Sequence, residues 1–195
     1  MNTIRAFIAV ELPEAVRQFL YETALSLADR VPAGAVRWVK PGAMHLTLHF
    51  LGDTPVDKLP ALGAGLDRVV GHRPSFALHL GELGCFPNPR RPRVIWAGVA
   101  GTGPALADLK RAVDEMLAPL GWAPENDKPF QAHLTLGRVK HSNQLIQLPW
   151  GERLAPRPVP VDAIYLIQSQ LRPDGPVYTI RHKAPLAKPA APQPQ

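Results

Sequence analysis

His45-Leu46-Thr47-Leu48 and His133-Leu134-Thr135-Leu136 are the same tetrapeptide, one copy in each half of the chain. If each copy is a strand, side chains alternate between faces, so His and Thr project one way and the two leucines the other. One face is then chemical and the other belongs to the core. A neutral imidazole takes a proton and an imidazolium gives one. A hydroxyl two residues along, about 6 to 7 Å away on the same face, can hold a ligand oxygen. Two such pairs facing one another across a cleft supply both a base and an acid.

The elements that must position these pairs follow from hydrophobic period and turn residues. Ile4 to Leu12 reads as a buried strand, and Pro13 opens a helix whose apolar stripe is Val16, Phe19, Leu20, Leu27 and Val31. Val36 to Lys40 is a short strand, Pro41-Gly42 a turn, and His45 to Leu51 the strand of the first motif. A second helix is expected over about 56–70, with Leu59, Leu62, Leu66 and Val69 at helical spacing. Ser75 to Leu80 and Arg93 to Val99 read as strands, and Gly103-Pro104 introduces a helix bearing Leu106, Leu109, Val113, Met116 and Leu117. A long connection from Gly121 to Gln131 leads to the second motif strand, Ala132 to Val139. Val161 to Gln168 and Val177 to His182 form a closing hairpin around Arg172-Pro173-Asp174-Gly175.

The repeated order predicts an α+β fold. Two antiparallel-sheet lobes are related by a pseudo-twofold axis, with helices on the outer faces and a central cleft between the motifs. Residues 1–183 form one bilobal domain. The Pro-, Ala- and Gln-rich tail, 184–195, is expected to be disordered.

Bulk composition is consistent with this. A chain of 195 residues with 46% hydrophobic content can bury a sizeable core, and a formal charge of +6 favours phosphorylated partners. Cys85, the only cysteine, excludes an intramolecular disulfide or a multi-cysteine zinc site, and its apolar neighbours read as packing around an inert thiol. The N-terminal apolar run is too short for a signal peptide and no stretch has transmembrane length, so the expectation is a soluble cytoplasmic protein with no membrane association.

With the motifs placed, the chain resembles the two-histidine (2H) phosphoesterase superfamily, and specifically bacterial RNA 2',3'-cyclic phosphodiesterases, also called 2',5' RNA ligases. The resemblance runs from Arg5-Ala6-Phe7-Ile8-Ala9 through Arg37-Trp38-Val39-Lys40-Pro41 and His45 to Gly52, then Phe130 to Arg138, and ends in Ser169 to Gly175. It implies that Arg138, three residues after the second Thr, contacts the phosphate, and that Phe50 stacks on a nucleobase. It also implies hydrolysis of RNA 2',3'-cyclic phosphate ends to a 2'-phosphate, with 2',5' ligation in reverse.

In that chemistry His45 and His133 are the catalytic acid and base, with His45 assigned as acid; the assignment could be reversed. Thr47, Thr135 and Arg138 hold the phosphate. Neither metal nor cofactor is required, and the rate profile is expected to be bell-shaped with two near-neutral limbs. Two other readings stay open: a phosphodiesterase for a small cyclic nucleotide or other cyclic phosphoester, and a non-catalytic RNA-binding module. The protein is expected to act as a monomer without an obligate protein partner. His49 is expected on the face of His45 and Thr47, while His72, His79, His141 and His182 read as surface or structural residues. Arg90, Arg91, Arg93 and Lys40 are candidate contacts for RNA, with a solvated loop as the plainer alternative for the arginines.

Overall fold

The computed structural model describes residues 2–101, 103–123, 129–140, 146–173 and 175–188. Among the described residues, nine strands form one antiparallel sheet: β1 (Thr3–Glu11), β2 (Val36–Trp38), β3 (His45–Pro55), β4 (Phe76–Phe86), β5 (Val94–Gly101), β6 (His133–Val139), β7 (Pro158–Val161), β8 (Ala163–Arg172) and β9 (Gly175–Pro185). Three helices accompany them: α1 (Glu14–Ala28), α2 (Leu59–Val70) and α3 (Ala105–Leu117).

The strand order is β7-β4-β5-β6-β3-β1-β8-β9, with β2 also pairing β6. Reading outward from the centre, β3, β1, β8 and β9 make one half, and β6, β5, β4 and β7 the other. The halves meet where β3 and β6 share a single registered pair, Leu46 opposite Leu134. The expected α+β architecture holds, and the two motif strands are its innermost neighbours.

Core residues fall where the periods place them. Leu46, Leu48, Leu134 and Leu136 are buried, as are Val16, Leu20, Ala24 and Leu27 of α1, Leu62, Leu66 and Val70 of α2, and Leu109, Val113 and Leu117 of α3. Burying a side chain of this size contributes about 1.5 to 3 kcal/mol. Helix α2 packs on β8, β9 and α3; α3 touches β3, and α1 touches β6. No helix among the described residues is long and apolar enough to cross a membrane.

Three expectations need correction. β4 continues to Phe86, well past Leu80, because its later residues keep pairing with β5. β7 lies outside the expected elements: Pro158 and Pro160 argue against a strand, yet β7 lies at the sheet edge, where a missing N–H leaves no ladder partner wanting. The tail does not begin at Ala184. Ala184 and Pro185 complete β9, Leu186 is buried, and the Ala187 N–H donates to the Arg73 carbonyl at 2.8 Å. Asp174 of the closing turn, His141, part of the 121–131 connection and residues 189–195 lie outside the described residues.

Candidate active site

Leu46 opposite Leu134 fixes the neighbours of the motif residues. Counting one residue outward along antiparallel strands puts Thr135 beside His45 and His133 beside Thr47. The two histidines therefore lie on a diagonal of one face, with backbone positions about 7 to 8 Å apart. The separation suits two rings flanking one phosphate.

Strict alternation would place Phe50 and Arg138 on the wrong face, because each lies three residues after its motif threonine. Two β-bulges remove the problem. In β3, Ala9 pairs with Thr47 and Ile8 with His49, leaving Leu48 as the extra residue. In β6, Trp96 pairs with Thr135 and Ile95 with Gly137, leaving Leu136 extra. A bulge inserts one unpaired residue and resets the alternation. Both fall on the fourth residue of the motif, and both return the side chain two positions later, Phe50 or Arg138, to the face of His and Thr. Phe50 is 53% exposed.

The same bulge moves His49 away from the expected face. His49 is 1% exposed, and its Nδ1 lies 2.9 Å from Asp114 Oδ1 on α3, which also receives the Lys110 ammonium. The corresponding residue of β6 is Gly137, where a Cβ would come within 2.7 Å of Val36 Cγ1 and 2.9 Å of Trp38 Cε3. Glycine lets β2 close onto β6 at the bulge.

Each catalytic candidate is held from behind by a carbonyl two residues earlier. His133 Nδ1 lies 2.8 Å from the Gln131 carbonyl oxygen, so Nδ1 donates and Nε2 keeps its lone pair toward the cleft. The His45 ring likewise donates a hydrogen bond to the Ala43 backbone. Aromatic rings complete both cages. Phe7 stacks on His45 at 4.6 Å with Tyr178 edge-on at 5.2 Å, while Phe86 meets His133 edge-on at 4.9 Å. Trp96 lies 6.3 Å from His133, its own ring seated over the bare backbone of Gly84.

Burial among these rings lowers the pKa of His45 to about 4, and the nearby charges of Arg138 and His133 push it further down against the raising effect of the Ala43 bond. His133 is lowered too, first by burial and then by Arg138, with the Gln131 bond opposing. Both rings are accordingly neutral at neutral pH in the free protein. The Arg138 cation lies close enough to act on both.

A cavity of about 1150 Å³ opens from His133 toward α3, lined among others by Thr47, Phe50, Arg93, Lys110 and Phe130; His45, Thr135 and Arg138 are not part of its lining. Thr47, Phe50 and His133 thus share one wall space, and Arg138 joins His45 and His133 electrostatically. Arg90, Arg91 and Lys40 are exposed and do not line this cavity. His182 Nε2 pairs with Asp67 at 2.8 Å, a structural role, and Cys85 is buried. Sequence reading missed Phe7, Tyr178, Phe86 and Trp96 as ring partners of the histidines, and the Lys110–Asp114–His49 set. Only long-range sheet register brings them in, and no local pattern announces it.

A family model described as LigT-like phosphoesterase matches residues 10–96 and 98–178. The chain is 37% identical to an RNA 2',3'-cyclic phosphodiesterase of Thermus thermophilus, covering 92% of this chain and 89% of that one. It is 35% identical to a protein of the same name from Methanothermobacter thermautotrophicus, covering 90% and 95%. Among solved structures, a crystal structure of a Thermus thermophilus protein superposes with a TM-score of 0.79 at 33% identity, covering 94% of this chain and 98% of that one. A crystal structure of E. coli LigT complexed with 3'-AMP gives 0.77 at 26% identity, covering 96% and 100%.

Proposed function

The chain belongs to the LigT-like phosphoesterase family, and on that premise we propose that it hydrolyses RNA 2',3'-cyclic phosphate ends to 2'-phosphates with His45 and His133 as its proton carriers. The observation that carries this reading is the diagonal placement of two imidazoles across the β3–β6 seam, with the Arg138 cation near enough to act on both.

The strained five-membered diester opens as water attacks phosphorus and the bond from phosphorus to the ribose 3'-oxygen breaks. His133 takes the water proton on Nε2, the nitrogen left free by the Gln131 bond. His45 gives a proton to the departing 3'-oxygen. Neutral in the free protein, it is charged by a proton that the arriving phosphate anion stabilises, and a buried imidazolium of low pKa donates readily. Thr47, Thr135 and the Arg138 fork meet the charge that gathers on the non-bridging oxygens. Phe50 offers its exposed ring to the nucleobase.

Ligation is the same reaction with a ribose 5'-hydroxyl in place of water. The hydroxyl proton goes to His133, the 3'-oxygen leaves with the proton of His45, and a 2',5' linkage remains. Ring strain supplies the driving force, so no nucleotide cofactor enters. It is taken to act as a monomer, since both histidines come from one chain, and in the cytoplasm, where its lone cysteine stays reduced.

The test is turnover of an RNA bearing a 2',3'-cyclic phosphate, in excess chelator, with the product isomer identified. A 2'-phosphate formed at an undiminished rate is expected. No turnover, a 3'-phosphate, or loss on chelation each contradicts the proposal.

A further inference from the structure

Arg37 on β2 and Arg138 on β6 stand directly opposite one another in the antiparallel register. Residues so paired send their side chains to the same face, with Cβ atoms about 5 Å apart, and like charges there destabilise the sheet. Both arginines are exposed. Among the described residues, no carboxylate forms an ion pair with either.

A third arginine borders the same end of β6. The Val139 N–H donates to the Arg93 carbonyl at 2.9 Å, and Arg93 lines the cavity that opens from His133. Arg37, Arg138 and Arg93 thus lie along one end of β2, β6 and β5, and none has an ion-pair partner among the described residues. A mononucleoside 2',3'-cyclic phosphate carries one negative charge, which Arg138 and the two threonines meet. Arg37 stands opposite Arg138 in register and is not needed for that charge.

Resting on the hydrolase reading above, we infer that Arg37 with Arg138 forms a second phosphate subsite, which takes an internal phosphodiester of the RNA and makes a polynucleotide end the preferred substrate over a cyclic mononucleotide. A phosphate seated between the two guanidiniums turns their repulsion into two charge-assisted contacts. Arg93 extends the same strip of positive charge.

The experiment compares wild type and Arg37→Gln on a mononucleoside 2',3'-cyclic phosphate and on a short oligoribonucleotide with the same end, across a range of salt. For wild type, kcat/KM is higher on the oligonucleotide and falls more steeply with salt. In R37Q the ratio of the two kcat/KM values drops about tenfold, and the salt slope on the oligonucleotide shrinks by about one. The thermal midpoint of R37Q stays level or rises, because a like-charge pair has been relieved. An unmoved ratio, or equal loss on both substrates together with a lower midpoint, overturns the subsite while leaving the hydrolase intact. Wild type inert on both substrates overturns the hydrolase reading and the subsite with it.

Discussion

At the residue scale, the two imidazoles are set apart from the other histidines by where their protons must go. His45 and His133 each give one ring nitrogen to a carbonyl and keep the other for the cleft, whereas His49 and His182 spend a nitrogen on a carboxylate. Replacing His45 or His133 with Asn should lower kcat by at least about 150-fold, about 3 kcal/mol or more in the barrier, read as turnover of a cyclic phosphate end. The depressed pKa values change the expected profile. Two near-neutral limbs suit unperturbed histidines. With both rings lowered in the free protein, the alkaline fall of kcat/KM should lie below pH 6.5, while kcat, measured with phosphate bound, should hold to higher pH.

The same shift acts on stability. His45 titrates near 4 when folded and near 6.5 when unfolded, so the unfolded chain binds more protons between those values. Its contribution is complete above 6.5 and is lost as pH falls toward 4, a change on the order of 3 kcal/mol. Denaturant unfolding of wild type and His45→Gln across that window should show the variant with the shallower slope. Equal slopes would contradict the buried, neutral ring.

At the scale of elements, the bulges decide which side chains share the face of His45 and His133. They are legible only in part. The repeated tetrapeptide marks both strands, but that its fourth residue is unpaired appears only when β1 and β5 are laid alongside. Alternation alone predicts His49 on the catalytic face and Arg138 on the core face, and both assignments fail for the one reason. Gly137→Val tests the device. Its side chain meets Val36 and Trp38, so stability should fall by about 1 to 3 kcal/mol, and activity should fall further than a comparable loss of folded protein explains, because Arg138 is displaced. A midpoint shift in urea and kcat on the remaining folded enzyme separate the two effects.

At the scale of the whole molecule, the site straddles a seam held by one registered pair, so a bound phosphate ties the halves together. A nucleoside 2'-monophosphate at about 100 times its Kd should stabilise the fold by about 2.7 kcal/mol, seen as a raised thermal midpoint that chelator does not abolish. His133→Asn should reduce the shift. Whole-molecule packing also explains the misjudged tail. Its composition lacks a period, yet the Leu186 N–H bonds the Asp162 carbonyl at 2.8 Å and the side chain is buried. Edge positions are available to segments that no local propensity would recruit.

By itself the sequence determined the motif strands, the three helices and the inward leucines, and it singled out both histidines as candidates, since these follow from local period and from side-chain chemistry. Tertiary structure alone decided which faces Phe50, Arg138 and His49 take, which rings lower the histidine pKa values, and that Arg37 confronts Arg138. Those depend on register between strands distant in the chain. Register is set by how the whole sheet closes over its core, and no window of residues contains that information.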